Sequence, residues 1–253
     1  MIATFAPISL DGLVAAAELL TRVDRKYLLP AALLPALMAE LPPEVRALEI
    51  DGRRDFGYRS VYFDTERLDS YLGAAHRRRR RFKVRIRTYL ETGARFVEVK
   101  TRGSRGTTIK NRLAYAGNGH LLGAAGQAHL EHVLSGAGIV PTGHTFHPVL
   151  ATHYRRHTLY LPGCGSRVTI DTDLSWSLPD GTALSMPGHV VLETKSAGGR
   201  CDVDRLLRRH RHRPVPISKY ATGLAALRPE LPANRWHPVL HRHFSPRNHH
   251  ETA

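Results

Sequence analysis

The sequence predicts an α+β fold in which a meander of short antiparallel strands is flanked by segregated helices. Three observations carry this. Six short stretches rich in β-branched and aromatic residues, at 58–64, 82–90, 95–101, 152–161, 167–173 and 190–195, are bounded by glycine, proline or charged turns. Helical periodicity is confined to separate stretches and does not alternate strand by strand, which argues against a βαβ array. Four of the strands also carry charges of mixed or single sign on one face and apolar residues on the other.

The elements follow in order. Residues 10–20 and 31–41 have apolar residues at helical spacing, the second opening after Pro30 and stopping at Pro42 and Pro43. Between them, residues 22–29 alternate as a strand, so that Lys26 shares a face with Asp24. In Lys83-Val84-Arg85-Ile86-Arg87 a period of two sets three cations on one face and two β-branched residues on the other. Phe96-Val97-Glu98-Val99-Lys100 pairs Glu98 with Lys100 opposite Val97 and Val99. Residues 119–134 read as a helix, residues 167–173 place Arg167, Asp171 and Asp173 opposite Val168 and Ile170, and 190–195 place Glu193 with Lys195. A short basic helix is expected at 203–210. From Pro229 onward Pro232, Pro238 and Pro246 recur among His and Arg, so the chain reads as one domain over 1–230 followed by a basic, His- and Pro-rich tail over 231–253.

Thirty-seven Lys and Arg against 22 Asp and Glu give a formal net charge of +15. Such a balance serves either a polyanionic partner or solubility. The excess is mostly arginine, whose planar guanidinium grips phosphate oxygens in pairs, and that favours a phosphate-bearing ligand. A charged strand face is ordinarily the solvated one. Its recurrence on four strands points instead to a polar interior, as in a barrel whose apolar outer face is covered by helices. Cations gathered at low dielectric repel unless an anion is present. The acids among them fit Mg2+ or Mn2+, hard cations that take carboxylate and phosphate oxygens together. Cys164 and Cys201 form no CxxC pair, which indicates neither a zinc site nor a disulfide framework and suits a reducing cytoplasm. No apolar run reaches the length of a membrane span, and neither GxGxxG nor a P-loop occurs.

An ordered set of motifs runs from about residue 22 to 227: Arg25-Lys26-Tyr27, Val61-Tyr62-Phe63-Asp64-Thr65, Val84-Arg85-Ile86-Arg87-Thr88-Tyr89 and Val97-Glu98-Val99-Lys100-Thr101. After these come Tyr154 with Arg156, residues 167–174, Leu192-Glu193-Thr194-Lys195 and Ser218-Lys219-Tyr220. This set resembles the triphosphate tunnel metalloenzymes, and within them the catalytic domain of the vacuolar transporter chaperone (VTC) complex, a polyphosphate polymerase. The resemblance implies an antiparallel eight-stranded β-tunnel flanked by helices. Lys26, Arg85, Arg87, Lys100, Lys110, Arg156, Arg167 and Lys219 would line its phosphate path, joined by Tyr154, Lys195 and Ser218 as phosphate-binding residues. Arg85, Arg87, Lys100 and Lys219 would act in catalysis, and Glu193 would be the principal ligand of Mn2+ or Mg2+, with Glu98 and Asp173 as helpers. ATP and inorganic polyphosphate are the implied partners, with hydrolysis of tripolyphosphate or nucleoside triphosphate, or a non-catalytic polyphosphate-binding module, as alternatives. A membrane protein could receive the product. The sequence departs from many tunnel enzymes in one place: Asp24-Arg25-Lys26 replaces their alternating glutamates, a feature the polymerase branch shares.

Other signals carry less. The run His76-Arg77-Arg78-Arg79-Arg80-Arg81 suits salt-dependent binding of a long anion or a solvated hairpin end. A nucleic-acid reading is disfavoured, because no aromatic ladder is interleaved with the cations. The second basic cluster, Arg208 to Arg213, suits a tunnel end or an exposed helix face. The pairs His153/His157 and His237/His241 have i,i+4 spacing but sit on a strand pattern and in a Pro-flanked segment, which does not favour a metal site.

Overall fold

A computed structural model describes residues 2, 4–17, 23–102, 108–141 and 145–244. The fold is mixed α+β, and its long strands pair antiparallel. The chain forms two compact units interleaved in sequence, the first being Met1–Gly57, Tyr154–Leu174 and Met186–Ile217, the second Tyr58–His153, Ser175–Ser185 and Ser218–Ala253.

The first unit holds β1 (Ala6–Ile8), α1 (Leu10–Ala16), β2 (Val23–Pro30), α2 (Leu34–Ala39) and β3 (Arg46–Leu48). It also holds most of β8 (His147–Leu161) and β9 (Ser166–Ser177), together with β11 (His189–Ser196) and α5 (Asp202–Arg209). β11 lies between β2 and β9, with Glu193 opposite Lys26 on one side and Thr169 on the other. The alternate residues of these strands, among them Tyr27, Leu29, Val168, Ile170, Val190 and Leu192, pack against Leu34, Leu37, Val203 and Leu207 of the helices. One face of the ladder is thereby committed to the core, and Lys26, Glu193 and Lys195 fall on the other.

The second unit holds nearly all of β4 (Phe56–Asp64), then α3 (Asp69–Ala75), β5 (Phe82–Tyr89), β6 (Arg95–Arg102), β7 (Thr108–Ala114) and α4 (Ala124–Gly136). Beyond these are β10 (Ala183–Ser185), α6 (Lys219–Leu227) and α7 (His237–His243). β4, β5, β6 and β7 pair in sequence order. Val61, Phe63, Val84, Ile86, Val97 and Val99 cover one face and pack on Leu130, Val133 and Leu134 of α4. Helix α3 is capped from outside: the buried Asp64 carboxylate accepts the backbone N–H groups of Thr65, Ser70 and Tyr71, each at 2.9 Å.

Element boundaries differ from the sequence expectation in physically interpretable ways. The segment after Pro30 begins as a 3-10 turn at Ala31–Leu33 before α2. β7 has no expected counterpart. All seven of its residues are exposed or partly so, without a buried row, and the period-2 signal needs a covered face. Within the expected tail, Asn234–Trp236 and α7 are ordered helical turns, anchored by the buried Trp236 and Val239 and opened by Pro238 near the helix start. Residues 18–20 and 22 of the expected first helix and strand, and 245–253 of the tail, lie outside the described residues. Cys164 and Cys201 are free, and no helix among the described residues is long and apolar enough to cross a membrane.

Candidate functional site

In the second unit the pleat of β5 and β6 sets Arg85 opposite Glu98 and Lys83 opposite Lys100, while Lys100 faces Lys110 across to β7. Three cations converge on one carboxylate. The Arg85 guanidinium donates to Glu98 Oε2 at 2.7 Å from Nε, Lys110 Nζ lies 2.6 Å from Oε1, and Arg87 Nε lies 3.9 Å from Oε2. Arg85 and Arg87 are each 8% exposed and Glu98 1%, so this face is not solvent decoration. Burial alone would raise the carboxyl pKa, but the Arg85, Arg87 and Lys110 charges hold Glu98 far below the usual carboxylate range. Lys110 is lowered, burial outweighing Glu98. Three positive charges, two of them buried and Lys110 exposed, face one negative, a balance that suits a bound anion.

Aromatic and hydroxyl groups cover this face. Tyr62, opposite Arg85 on β4, receives a hydrogen bond from Arg85 Nη1 at 3.2 Å and stacks on Tyr220 with ring centroids 5.0 Å apart. Tyr220 in turn donates to Asp64 at 2.5 Å. Lys83 Nζ donates to Ser218 Oγ at 2.9 Å, and Ser218 caps α6 by accepting the Ala221 N–H at 3.2 Å. Lys219 therefore begins α6, where a cation is disfavoured by the helix dipole unless an anion shares the place. Arg112, two residues past Lys110 on β7, lies 3.4 Å from the Phe96 ring centre and donates to the Tyr89 hydroxyl.

The first unit carries a second charged face. Glu193 pairs with Lys195 at 2.7 Å along its own strand and with Lys26 at 3.8 Å across to β2. Lys195 also donates to Thr169 Oγ1 at 3.2 Å and stands opposite Arg167. Arg156 grips Asp171 through two nitrogens, at 2.5 and 2.8 Å, and lies over the Tyr154 ring. Burial opposes the Glu193 charge, yet Lys195 and Lys26 hold its pKa well below the ordinary value; burial pushes Lys195 down. The neighbouring residues of Arg25-Lys26-Tyr27 point the other way. Arg25, Tyr27 and Thr194 all donate to the buried Asp204 of α5, which also accepts the Cys201 N–H.

The structure thus brings Lys26, Arg156, Arg167, Glu193 and Lys195 to one face of the first unit, near Tyr154. It brings Arg85, Arg87, Glu98, Lys100 and Lys110 to one face of the second, with Ser218 joined to it through Lys83. Asp173 is exposed, at φ 51°, and accepts from Thr172. Lys83, Tyr62, Tyr220, Asp64 and Arg112 escaped the sequence reading as site residues, although Lys83 shares the strand period with Arg85.

The carboxylates expected to hold a divalent ion divide in the same way. Both oxygens of Glu98 face cations, which does not suit a metal ligand. Among the described residues no three His, Cys, Asp or Glu side chains gather as a cage. Glu193 also has a cation at each oxygen, but its side chain is 15% exposed and Lys26 stands 3.8 Å away, which leaves that carboxylate open to an ion shared with a phosphate ligand.

Residues 21–228 match the VTC domain family. No curated protein matches the chain. Among solved structures, a candidate adenylate cyclase from Bacillus halodurans superposes with a TM-score of 0.50 at 14% identity, covering 78% of this chain and 93% of its own. A candidate adenylyl cyclase from Hippeastrum, described as having a dominant triphosphatase activity, gives 0.48 at 15% identity over 80% and 95%. A third, from Vibrio parahaemolyticus, gives 0.40 at 13% over 75% and 82%. The Bacillus protein shares the fold at an identity that shows the fold alone, while the family match spans most of the chain. The chain belongs to the VTC domain family, and that membership supports a role in triphosphate or polyphosphate chemistry.

Proposed function

We propose that this protein is a polyphosphate polymerase that transfers the γ-phosphate of ATP to a growing inorganic polyphosphate chain. The observation that carries the reading is the Glu98 cluster, where three cations, two of them 8% exposed, surround a single carboxylate. Glu98 acts there as the counter-ion that fixes the direction of Arg85, Arg87 and Lys110, which bring their positive charge to phosphate oxygens. Lys100 adds a charge beside them, and Lys219 meets an anion at the start of α6. In the first unit, Lys26, Lys195, Arg156 and Arg167 bind phosphate oxygens in the same manner.

Phosphoryl transfer asks a protein mainly for positioning and charge neutralisation. A terminal oxygen of the acceptor chain attacks the γ-phosphorus, the β–γ bridging bond breaks, and its electron pair leaves with ADP. Arg85, Arg87, Lys100 and Lys219 stabilise charge on the transferred group and the leaving phosphates. Glu193 would hold a Mn2+ or Mg2+ ion, which would supply further neutralisation of phosphate charge. The free thiols and the use of ATP suit the cytoplasm.

Incubation of the purified protein with ATP and Mn2+ or Mg2+ tests this, with products resolved on a gel and by free-phosphate assay. Chains longer than the nucleotide's own triphosphate are expected. Orthophosphate with no chain would replace the polymerase with a triphosphate hydrolase, and binding of polyphosphate without turnover would leave a non-catalytic module.

A further inference from the structure

The arginine run that precedes β5 does not end as an isolated basic tip. The β5/β6 ladder reaches Phe82 opposite Thr101, and Arg102 N–H then donates to Arg81 C=O at 3.0 Å, so Arg81 and Arg102 are the next pair beyond Lys83 and Lys100. By strand alternation Arg81 follows Lys83 and Arg85, and Arg102 follows Lys100 and Glu98. The C-terminal end of α3 gathers more cations at the same place. Arg77 and Arg78 donate their backbone N–H groups to Ala74 and Gly73, and Arg235 Nη1 donates to the Ala74 carbonyl at 3.0 Å. Cations suit a helix C-terminus, but this short helix needs far fewer than these.

Arg77 supplies an independent observation. The two backbone bonds form a Schellman closure, and Arg77 occupies its left-handed position at φ 53°. Glycine fills that position at no steric cost, whereas arginine bears one. Among the described residues none of Arg77, Arg78, Arg81, Arg102 and Arg235 enters a salt bridge with an acid. Arg102 and Arg235 lower the Arg81 pKa beyond the effect of burial, and Arg77 and Arg102 do the same to Arg235, as expected of guanidinium groups held close together.

We propose that Arg77, Arg81, Arg102 and Arg235 form an anion-binding track that prolongs the cationic face of β5 and β6. It would hold the part of an inorganic polyphosphate chain that extends past the phosphates at Arg85. The inference rests on the phosphate reading of that face and adds chain length to it: tripolyphosphate is too short to engage both, while a long chain does. A single-stranded nucleic acid fits less well, because among the described residues none of the exposed large hydrophobic side chains is an aromatic ring on which bases could stack.

The test measures binding of inorganic tripolyphosphate and of long-chain polyphosphate to the full chain, at two salt concentrations. R81Q/R102Q is expected to weaken the long chain by roughly tenfold or more, with a shallower salt dependence and unchanged tripolyphosphate affinity. R81K/R102K should restore most of the binding. R77G removes a charge while relieving the left-handed strain, so long-chain affinity should fall with thermal stability equal to or above wild type. Long-chain affinity unchanged in both R81Q/R102Q and R77G would overturn the track, as would equal losses for both ligands. A single-stranded oligonucleotide bound more tightly than polyphosphate would overturn it in favour of nucleic acid. Wild-type protein that binds neither phosphate compound would defeat the phosphate reading itself.

Discussion

Glu98 and Glu193 look alike in sequence, each one strand step from a lysine, yet their surroundings separate them. Glu98 is enclosed by Arg85, Arg87 and Lys110, whereas Glu193 keeps part of its side chain exposed beside Lys26 and Lys195. Replacing Glu98 by Gln leaves buried cations uncompensated and should cost about 3–5 kcal/mol in urea unfolding; a loss within experimental error would contradict its role as counter-ion. Both carboxyls have folded pKa values below their unfolded ones, so their stabilisation is complete above the unfolded range. Between the two values the unfolded chain binds the extra protons, and stability falls as pH drops below about 4–5. Unfolding measured from pH 7 to pH 3 should show this loss, and E98Q should show less of it. Substitution of Glu193 by Gln should abolish turnover with ATP while tripolyphosphate binding persists. Full activity in that variant would remove Glu193 from the reaction.

Among the elements, α3 and α6 are joined through one buried carboxylate. Asp64, at the end of β4, closes the N-terminus of α3 and accepts the Tyr220 hydroxyl from α6, and Tyr220 lies against Tyr62 and thus beside Arg85. Y220F deprives Asp64 of a donor and should lower stability by about 1–2 kcal/mol. An unchanged urea midpoint would show that the hydroxyl is not needed to hold the two helices. The legibility of elements followed their burial. β5, β6 and β11 each have one apolar row committed to a core, so their alternation reads clearly. β7 has no such row, and α3 is seven residues long with a cap supplied from a neighbouring strand, so neither carries a local signal. α7 was obscured by prolines and histidines that suggested a tail, although Pro238 in fact opens the helix.

For the molecule as a whole, the net charge of +15 proved a weaker guide than the placement of charge on strand faces. Lys26, Arg85, Arg87 and Lys195 were legible because a period of two forces them onto one side of a strand, whereas Arg156 came from the family resemblance. Their partners were not. The pairing of Glu98 with Lys110 depends on the register of β6 against β7, and that of Arg156 with Asp171 brings together separate strands. Asp173 is exposed and left-handed, a backbone feature that no residue pattern announces. The family match over residues 21–228 agrees with the span of the ordered motifs. The charged faces are expected to hold phosphate. Titration calorimetry of inorganic tripolyphosphate into wild type and into the R85A/R87A variant tests this directly. Wild type should bind with an affinity that weakens with salt and falls roughly a hundredfold or more in the variant, from the loss of two charge-assisted contacts. Equal affinity in the two proteins would contradict this expectation.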